Sequence, residues 1–220
     1  MIVQIYGITT AEDAALVNEI APDNVGVVLD EGFDAWDSID ERTIRQVLLE
    51  LDRVDVVALS LAITRDQILK TLEITSPKIV HLVRALGGMS TDAIRSLREE
   101  IAPVQLMLTI PVDGPEAIQT AIGAADLADY LLLDSRSPST GIVGASGLAH
   151  DWSLSQQIVE MATCPSILAG GLGPDNVQAA IAAVQPLGVD SETLTSRVDD
   201  RRRKDPRKVR EFVERARSNR

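Results

Sequence analysis

A carboxylate at the end of an apolar segment is the residue of this chain with the clearest capacity for chemistry. Asp134 follows Leu131-Leu132-Leu133, a pattern that predicts a buried strand ending in an acid. A glycine-rich segment, Gly144-Ala145-Ser146-Gly147, comes next, and a later apolar segment ends in Gly170-Gly171. Carboxylates at strand ends transfer protons in parallel barrels, and glycine-rich turns bring backbone amides against phosphate. The sequence therefore predicts an acid–base group beside a phosphate site.

The elements that must position these residues repeat along the whole chain. Short apolar segments alternate with segments of helical periodicity, which is typical of βα units around a parallel sheet. The predicted strands are 2–6, 25–29, 54–60, 78–83, 104–110, 130–134, 166–169 and 187–190. The predicted helices lie near 11–20, 40–51, 65–74, 90–101, 115–125, 153–162, 174–183 and 206–218. Eight strands, each followed by a helix, predict an α/β fold with one domain over residues 1–220, a (β/α)8 TIM barrel with parallel strands.

The start of the chain argues against a doubly wound open sheet, the main rival to the barrel. That fold would place a Gly-x-Gly-x-x-Gly sequence after the first strand. The residues found there are Gly7-Ile8-Thr9-Thr10, and the glycine-rich segments instead follow the sixth and seventh predicted strands. This distribution favours the barrel.

Composition excludes several classes of partner. The 220 residues carry a formal net charge of −12, which repels nucleic acids and anionic membranes. No apolar segment reaches the roughly 20 residues of a membrane helix, and residues 1–5 lack the features of a signal peptide. The single cysteine, Cys164, cannot form an intramolecular disulfide, so a cytoplasmic location is expected. Few basic residues are lysine, which suits either a halophilic protein or a GC-rich genome; both interpretations stay open.

Several segments, in order and at matching distances, resemble the phosphoribosylanthranilate isomerase family of tryptophan biosynthesis. The segment Gln4-Ile5-Tyr6-Gly7-Ile8-Thr9 corresponds to Lys-Ile-Cys-Gly-Ile-Thr in that family, and Leu132-Leu133-Asp134-Ser135 corresponds to Leu-Leu-Asp-Ser. Residues 144–152 match its glycine-rich segment ending in Asp-Trp, and residues 168–177 match Leu-Ala-Gly-Gly-Leu-x-Pro-x-Asn-Val. The resemblance covers nearly the whole chain and is densest in its second half.

The resemblance implies an Amadori rearrangement, in which an aminoaldose phosphate becomes an aminoketose. It implies that Asp134 is the acid, and that the phosphate is bound by Ser146, Gly147, Gly170, Gly171 and the segment near Ser191. It also implies a phosphorylated sugar as the small-molecule substrate and no metal or organic cofactor. Both a monomer and a homodimer are compatible with it.

The chain departs from the family where the base should be. The family's cysteine is replaced by Tyr6, and an unperturbed phenol titrates near pH ~10. Tyr6 or His81 is therefore expected to supply a substitute base. The arginine that the family carries after strand two is missing, and Arg84 is expected to supply that cation. Asp190 ends the eighth predicted strand and could also face the site.

Other residues near the predicted site are expected to be structural. Residues 30–37 carry four carboxylates and are expected to form a solvated loop, and His150 is expected to pack against its neighbours. Two alternatives to an active isomerase stay open. One is a paralogue that binds a phosphorylated sugar with altered or no isomerase activity, and the other is a structural barrel that assembles with a partner.

Overall fold

The protein, analysed as a computed structural model that describes residues 1–33, 35–135 and 150–218, contains a closed barrel of eight parallel strands. Each strand pairs with the next along the chain, and the last pairs with the first, with Ile2 opposite Gly188 and Ile5 opposite Ser191. The strands are β1 Ile2–Ile5, β2 Asn24–Val28, β3 Asp55–Ser60, β4 Ile79–Leu82, β5 Gln105–Pro111, β6 Tyr130–Asp134, β7 Ser166–Leu168 and β8 Gly188–Ser191. The predicted (β/α)8 barrel is confirmed.

A helix follows each strand in chain order. The helices are α1 Ala11–Ile20, α2 Glu41–Leu49, α3 Arg65–Thr75, α4 Thr91–Ile101, α5 Glu116–Ala124, α6 Trp152–Met161, α7 Val177–Val184 and α8 Pro206–Arg217. Thr10 and Ser90 cap α1 and α4 by accepting hydrogen bonds from the backbone N–H groups of Asp13 and Ala93. No helix within the described ranges is both long and apolar enough to span a membrane.

The element boundaries differ from the predicted ones by a few residues. A tight turn at Ala85–Gly88, in which Gly87 has a φ of 90°, follows β4, and the sequence pattern did not indicate it. Helix α7 begins at Val177 rather than at Pro174, because the side chain of Asn176 bonds to the backbone of the preceding turn. These differences lie at strand-to-helix connections, where tertiary contacts rather than periodicity set the start of a helix.

Side chains alternate between the two faces of each strand, so one set points into the barrel and the other packs under the helices. A cluster of buried inward residues fills the interior: Tyr6, Val57, Ile79, Met107, Leu132, Ile167 and Ala169. The larger cluster lies between strands and helices. Because the interior is packed, polar inward side chains at the C-terminal ends of the strands are the ones that can face an open site.

Candidate active site

A small pocket opens at the C-terminal ends of β6, β7 and β8. Its lining residues come from three strand ends: Asp134, Gly170, Gly171, Leu172, Asp190, Ser191, Glu192 and Thr193. The structure thus brings together Asp134 and the Gly170-Gly171 turn, which the sequence had marked as an acid–base group and a phosphate site. The adjacent positions of β6, β7 and β8 in the barrel explain this convergence.

The Gly170-Gly171 turn has a geometry that only glycine adopts readily. Its φ angles are 79° and 63°. A Cβ atom at Gly170 would lie 2.9 Å from both His150 Nδ1 and Ser135 Oγ. The Asn176 side chain fixes the turn, since Nδ2 donates to Gly171 O over 2.8 Å and Oδ1 accepts from Gly173 N over 2.8 Å. The backbone of the turn is therefore presented to the pocket without side chains, as a phosphate site requires.

Asp134 has the protonation chemistry of an acid–base residue. Burial raises the pKa of its carboxyl to about 6, although the hydrogen bond from the Ser135 N–H, 2.7 Å from Oδ1, favours the ionised form. A carboxyl with a pKa this close to neutrality can both give and take a proton at physiological pH.

Asp190 is a second buried carboxyl in the same pocket. Its Oδ1 accepts a hydrogen bond of 3.1 Å from Gln4 Nε2, and Gln4 Oε1 accepts one of 3.1 Å from Asn24 Nδ2. Burial raises the pKa of Asp190 to about 8, and the charge of Asp134 acts in the same direction. The sequence placed Asp190 at a strand end, but nothing local in it indicated the partner on β1, 186 positions away.

Tyr6 and His81, predicted as sources of the base, form a hydrogen-bonded pair inside the barrel. Tyr6 Oη lies 2.8 Å from His81 Nδ1, and His81 Nε2 lies 2.6 Å from Thr109 Oγ1. The phenol ring lies directly over Gly26 of β2, where a Cβ atom would be only 1.9 Å from Tyr6 Cδ1. The ring is therefore locked in place by its backbone neighbour and by the imidazole.

The surroundings of this pair keep both rings neutral. Burial raises the pKa of Tyr6 well above its ordinary value, and the carboxylates of Asp190, Glu192, Asp37 and Asp134 raise it further. Burial lowers the pKa of His81 to about 3. A phenol with a raised pKa and an imidazole with a lowered one are both poor bases at neutral pH. Among the described residues that line the pocket, neither Tyr6 nor His81 is present.

The structure describes two of the four remaining predicted binding residues, Ser191 and Arg84. Ser191 lines the pocket, but its hydroxyl donates to the Leu172 carbonyl over 2.6 Å. Ser146 and Gly147 lie outside the described residues. Arg84 is exposed at the end of β4, away from this pocket, with its guanidinium 5.4 Å from the centre of the Phe33 ring.

The acidic segment after β2 is anchored rather than solvated, contrary to the sequence-based expectation. The Glu31 carboxylate accepts four hydrogen bonds from β3, its following turn and α3. The donors are Ser60 Oγ at 2.6 Å, Thr71 Oγ1 at 2.6 Å, Leu61 N at 2.9 Å and Ala62 N at 3.2 Å. Further along the segment, Arg201 stacks over the Trp36 ring at 4.5 Å. The Glu31 hydrogen bonds and the Arg201–Trp36 contact therefore hold this segment against the barrel. The number of acidic residues in the segment could not predict either contact.

Lys204 is a buried cation beside the pocket that the sequence did not single out as a site residue. Only 2% of its surface is exposed, and Nζ donates to the Glu192 carbonyl and to Ser196 Oγ, both at 2.9 Å. Burial lowers the pKa of Lys204 to about 8, whereas the Glu192 and Asp190 carboxylates favour its charged form. Glu192 in turn hydrogen-bonds with Asp37, and burial raises the pKa of Glu192 well above its usual value.

Comparison with known proteins places this geometry in a family. The model of the family described as N-(5'phosphoribosyl)anthranilate (PRA) isomerase matches residues 4–215. The chain is 31% identical to N-(5'-phosphoribosyl)anthranilate isomerase 2 of Methanosarcina mazei, with 100% of this chain and 95% of that protein covered. It is 33% identical to the isomerase of Methanocella arvoryzae, with 98% and 97% covered.

Among solved structures, the fold is similar to that of phosphoribosyl anthranilate isomerase from Thermotoga maritima. The TM-score is 0.81 at 26% identity, with 98% of each chain covered. The match of the family model over nearly the whole chain and the identity to full-length relatives agree with one another. The chain belongs to the N-(5'-phosphoribosyl)anthranilate isomerase family.

Proposed function

We propose that this protein catalyses the isomerisation of N-(5'-phosphoribosyl)anthranilate, an Amadori rearrangement from an aminoaldose to an aminoketose. One observation carries the proposal: the Asp134 carboxyl, with a pKa of about 6, shares a pocket with the side-chain-free Gly170-Gly171 turn. The first supplies proton transfer and the second a place for the substrate phosphate. Family membership supports the same reaction.

The reaction needs three things from the protein. An acid must protonate the ring oxygen as the furanose opens, and a base must remove the C2′ proton. The phosphate must be held so that these atoms stay between the two groups. The turn after β7 fits the phosphate, and Asp134 at the adjacent end of β6 is one of the two proton-transfer groups. Its acid role is the one that the family resemblance implies.

The pocket can accept a phosphate although three acidic side chains line it. Burial raises the pKa of Asp190 to about 8 and that of Glu192 well above its ordinary value, which lowers the negative charge that these two carboxyls carry near neutral pH. Lys204, whose Nζ is bonded to the Glu192 carbonyl, lies next to them and offsets charge that develops.

The other proposed contacts depend on residues around the pocket. Ser146 and Gly147 are proposed to add backbone and hydroxyl donors to the phosphate. Arg84 is proposed to meet the anthranilate carboxylate, because it is an exposed cation on the rim formed by β4 and the segment after β2. Tyr6 and His81 are proposed to shape the floor of the site as a neutral pair, and a cytoplasmic location is proposed from the single, buried cysteine.

Genetic complementation tests the proposal. Expression of this protein in a tryptophan auxotroph that lacks the isomerase is expected to restore growth without tryptophan. Asp134→Asn is expected to abolish this growth, because loss of a general acid or base costs about 10²–10⁴-fold in rate. Asp199→Asn, at an exposed position that does not line the pocket, serves as the matched control and should grow. Failure of the wild type to grow, with saturable binding of ribose 5-phosphate by the purified protein, would instead show a sugar-phosphate-binding paralogue.

A further inference from the structure

We propose that Asp190 is a second catalytic carboxyl and that Asp134 and Asp190 together supply the acid and the base of the reaction. This inference rests on the proposed isomerase function. Because Tyr6 replaces the family's cysteine, the reaction needs a second group that exchanges protons with the substrate besides Asp134, and we assign this role to Asp190.

The barrel places the two carboxyls on either side of the proposed phosphate site. Asp134 ends β6 and Asp190 lies on β8, and β7, which leads to the Gly170-Gly171 turn, pairs with both strands. Both carboxyls line the same pocket as that turn. A sugar whose phosphate lies against the glycines would therefore be flanked by an acidic group on each side.

The Asp190 side chain is held in one orientation by a neutral donor. Gln4 on β1 binds its Oδ1, and Asn24 on β2 binds Gln4 in turn, so inward positions of three neighbouring strands form one chain of hydrogen bonds. Within the described part of the chain, Gln4 is the only hydrogen-bond partner of this carboxyl. An amide fixes the geometry without the full charge that would force the carboxyl to stay ionised.

Four charged or titratable groups surround Asp190. Asp134 faces it from β6, Glu192 from the segment after β8, the Tyr6 phenol from β1 and Lys204 from the segment before α8. With pKa values of about 6 and about 8, Asp134 is mostly ionised at pH 7 and Asp190 mostly protonated. Two carboxyls whose environments separate their pKa values in this way are typical acid–base partners.

The higher pKa of Asp190 gives it the acid role and leaves Asp134 as the base, which reverses the acid role that the family resemblance implies for Asp134. With these two roles the proton transfers balance. Asp190 gives its proton to the ring oxygen as the C1′–O4′ bond breaks and the nitrogen lone pair forms a C1′=N⁺ double bond. The Asp134 carboxylate takes the C2′ proton, the C2′–H pair forms a C1′=C2′ double bond, and the C1′=N pair returns to nitrogen. The enolamine becomes the ketone when the 2′-hydroxyl loses a proton and C1′ gains one. A proton passed through solvent from Asp134 to Asp190 resets the pair.

The pH dependence of kcat/KM, measured with the purified protein and its variants, tests this assignment. The wild type is expected to show a bell with apparent pKa values near 6 and 8. Asp190→Asn, which can still accept the hydrogen bond from Gln4, is expected to lower kcat at least about 100-fold and to remove the descending limb. Its binding of ribose 5-phosphate should stay within threefold of the wild type, and Asp199→Asn should keep the full profile.

Each of the following results would contradict the inference. A wild type without turnover overturns the proposed function and this inference together. An active wild type whose Asp190→Asn variant keeps its rate and both limbs overturns the inference alone. A loss of at least 100-fold in Tyr6→Phe, with Asp190→Asn unaffected, would assign the second role to the phenol. If Asp190→Asn does not fold, 13C NMR titration of the aspartate carboxyls in the wild type decides, and the absence of any carboxyl titrating near pH 8 would contradict the inference.

Discussion

The barrel mouth has two sides, which differ in how their polar groups are bonded: the first side comprises the ends of β1 to β5, and the second side the ends of β6 to β8. At the ends of β6, β7 and β8, the backbone turns with positive φ angles, side chains are absent at two successive positions, and two carboxyls have pKa values of about 6 and 8. At the ends of β1 to β5, polar side chains are bonded to partners within the protein. Tyr6 is bonded to His81, His81 to Thr109, and the Glu31 carboxylate to four donors.

The barrel therefore keeps the residues that can transfer protons apart from those that fix the shape of its mouth. At the second side, the carboxyls are buried with few hydrogen-bond partners, which costs stability but raises their pKa values. The first side satisfies its polar groups, which favours a fixed shape over reactivity. Substitutions on each side test this difference.

The largest effect is expected from Gly26→Ala on the first side. The added Cβ would lie 1.9 Å from Tyr6 Cδ1, so the ring must move and lose its hydrogen bond to His81. Overpacking of this kind is expected to lower the free energy of unfolding by about 3 kcal/mol, as measured by urea denaturation. The double variant with Tyr6→Cys should recover much of that loss. Gly123→Ala, where a Cβ meets nothing within 4 Å, is the control and should not destabilise.

A smaller loss is expected from Glu31→Gln. The amide oxygen can still accept from the Leu61 and Ala62 N–H groups, but the NH2 group then faces hydroxyls that must turn to accept from it, and every charge-assisted bond becomes a weaker neutral one. Urea denaturation should show a destabilisation of about 2 kcal/mol. Glu73→Gln on the exposed face of α3 is the matched control. Equal stability of the two variants would mean that the segment after β2 is not anchored through Glu31.

Asp190→Asn on the second side is expected to stabilise the protein at neutral and alkaline pH. The folded pKa of about 8 exceeds the ordinary value of 3.8, so the folded state holds its proton more tightly than the unfolded state. The stability that this carboxyl contributes is therefore complete below about pH 4 and is lost as the pH rises through about 8. Removing the titration should raise the free energy of unfolding at pH 8 by at least about 1.4 kcal/mol, the equivalent of one pKa unit.

Thermal unfolding at pH 5 and at pH 8 measures this effect. The gain in Tm of Asp190→Asn over the wild type should be larger at pH 8 than at pH 5. A variant that is less stable than the wild type at pH 8 would show that the Asp190 carboxyl stabilises the folded protein at that pH. Asp199→Asn should give the same small difference at both pH values.

Local patterns were sufficient to predict the barrel and part of the site. Alternating apolar and helical segments predict eight βα units, and the acid at the end of a strand together with the paired glycines predicts where Asp134 and Gly170 meet. The residues that complete the site depend on contacts across the barrel. Gln4 with Asp190 and Glu31 with Thr71 are pairs whose members are separated by 186 and 40 positions, and no periodicity indicates them.

The role expected for Tyr6 shows the same limit. From the sequence, a tyrosine at the position of the family's cysteine suggests a substitute base. In the structure, burial raises the pKa of the phenol, and the ring lies between Gly26 and His81. Solvation decides whether a side chain can take a proton, and solvation is a property of the folded protein.

The turnover of N-(5'-phosphoribosyl)anthranilate by the purified wild type and by Asp134→Asn, followed by the change in fluorescence of the anthranilate group, tests the central claim most directly. We expect saturable conversion by the wild type without added metal or cofactor, and a fall of about 10²–10⁴-fold in kcat/KM for Asp134→Asn. Absence of conversion by a folded wild type, or an unchanged rate in Asp134→Asn, would contradict it.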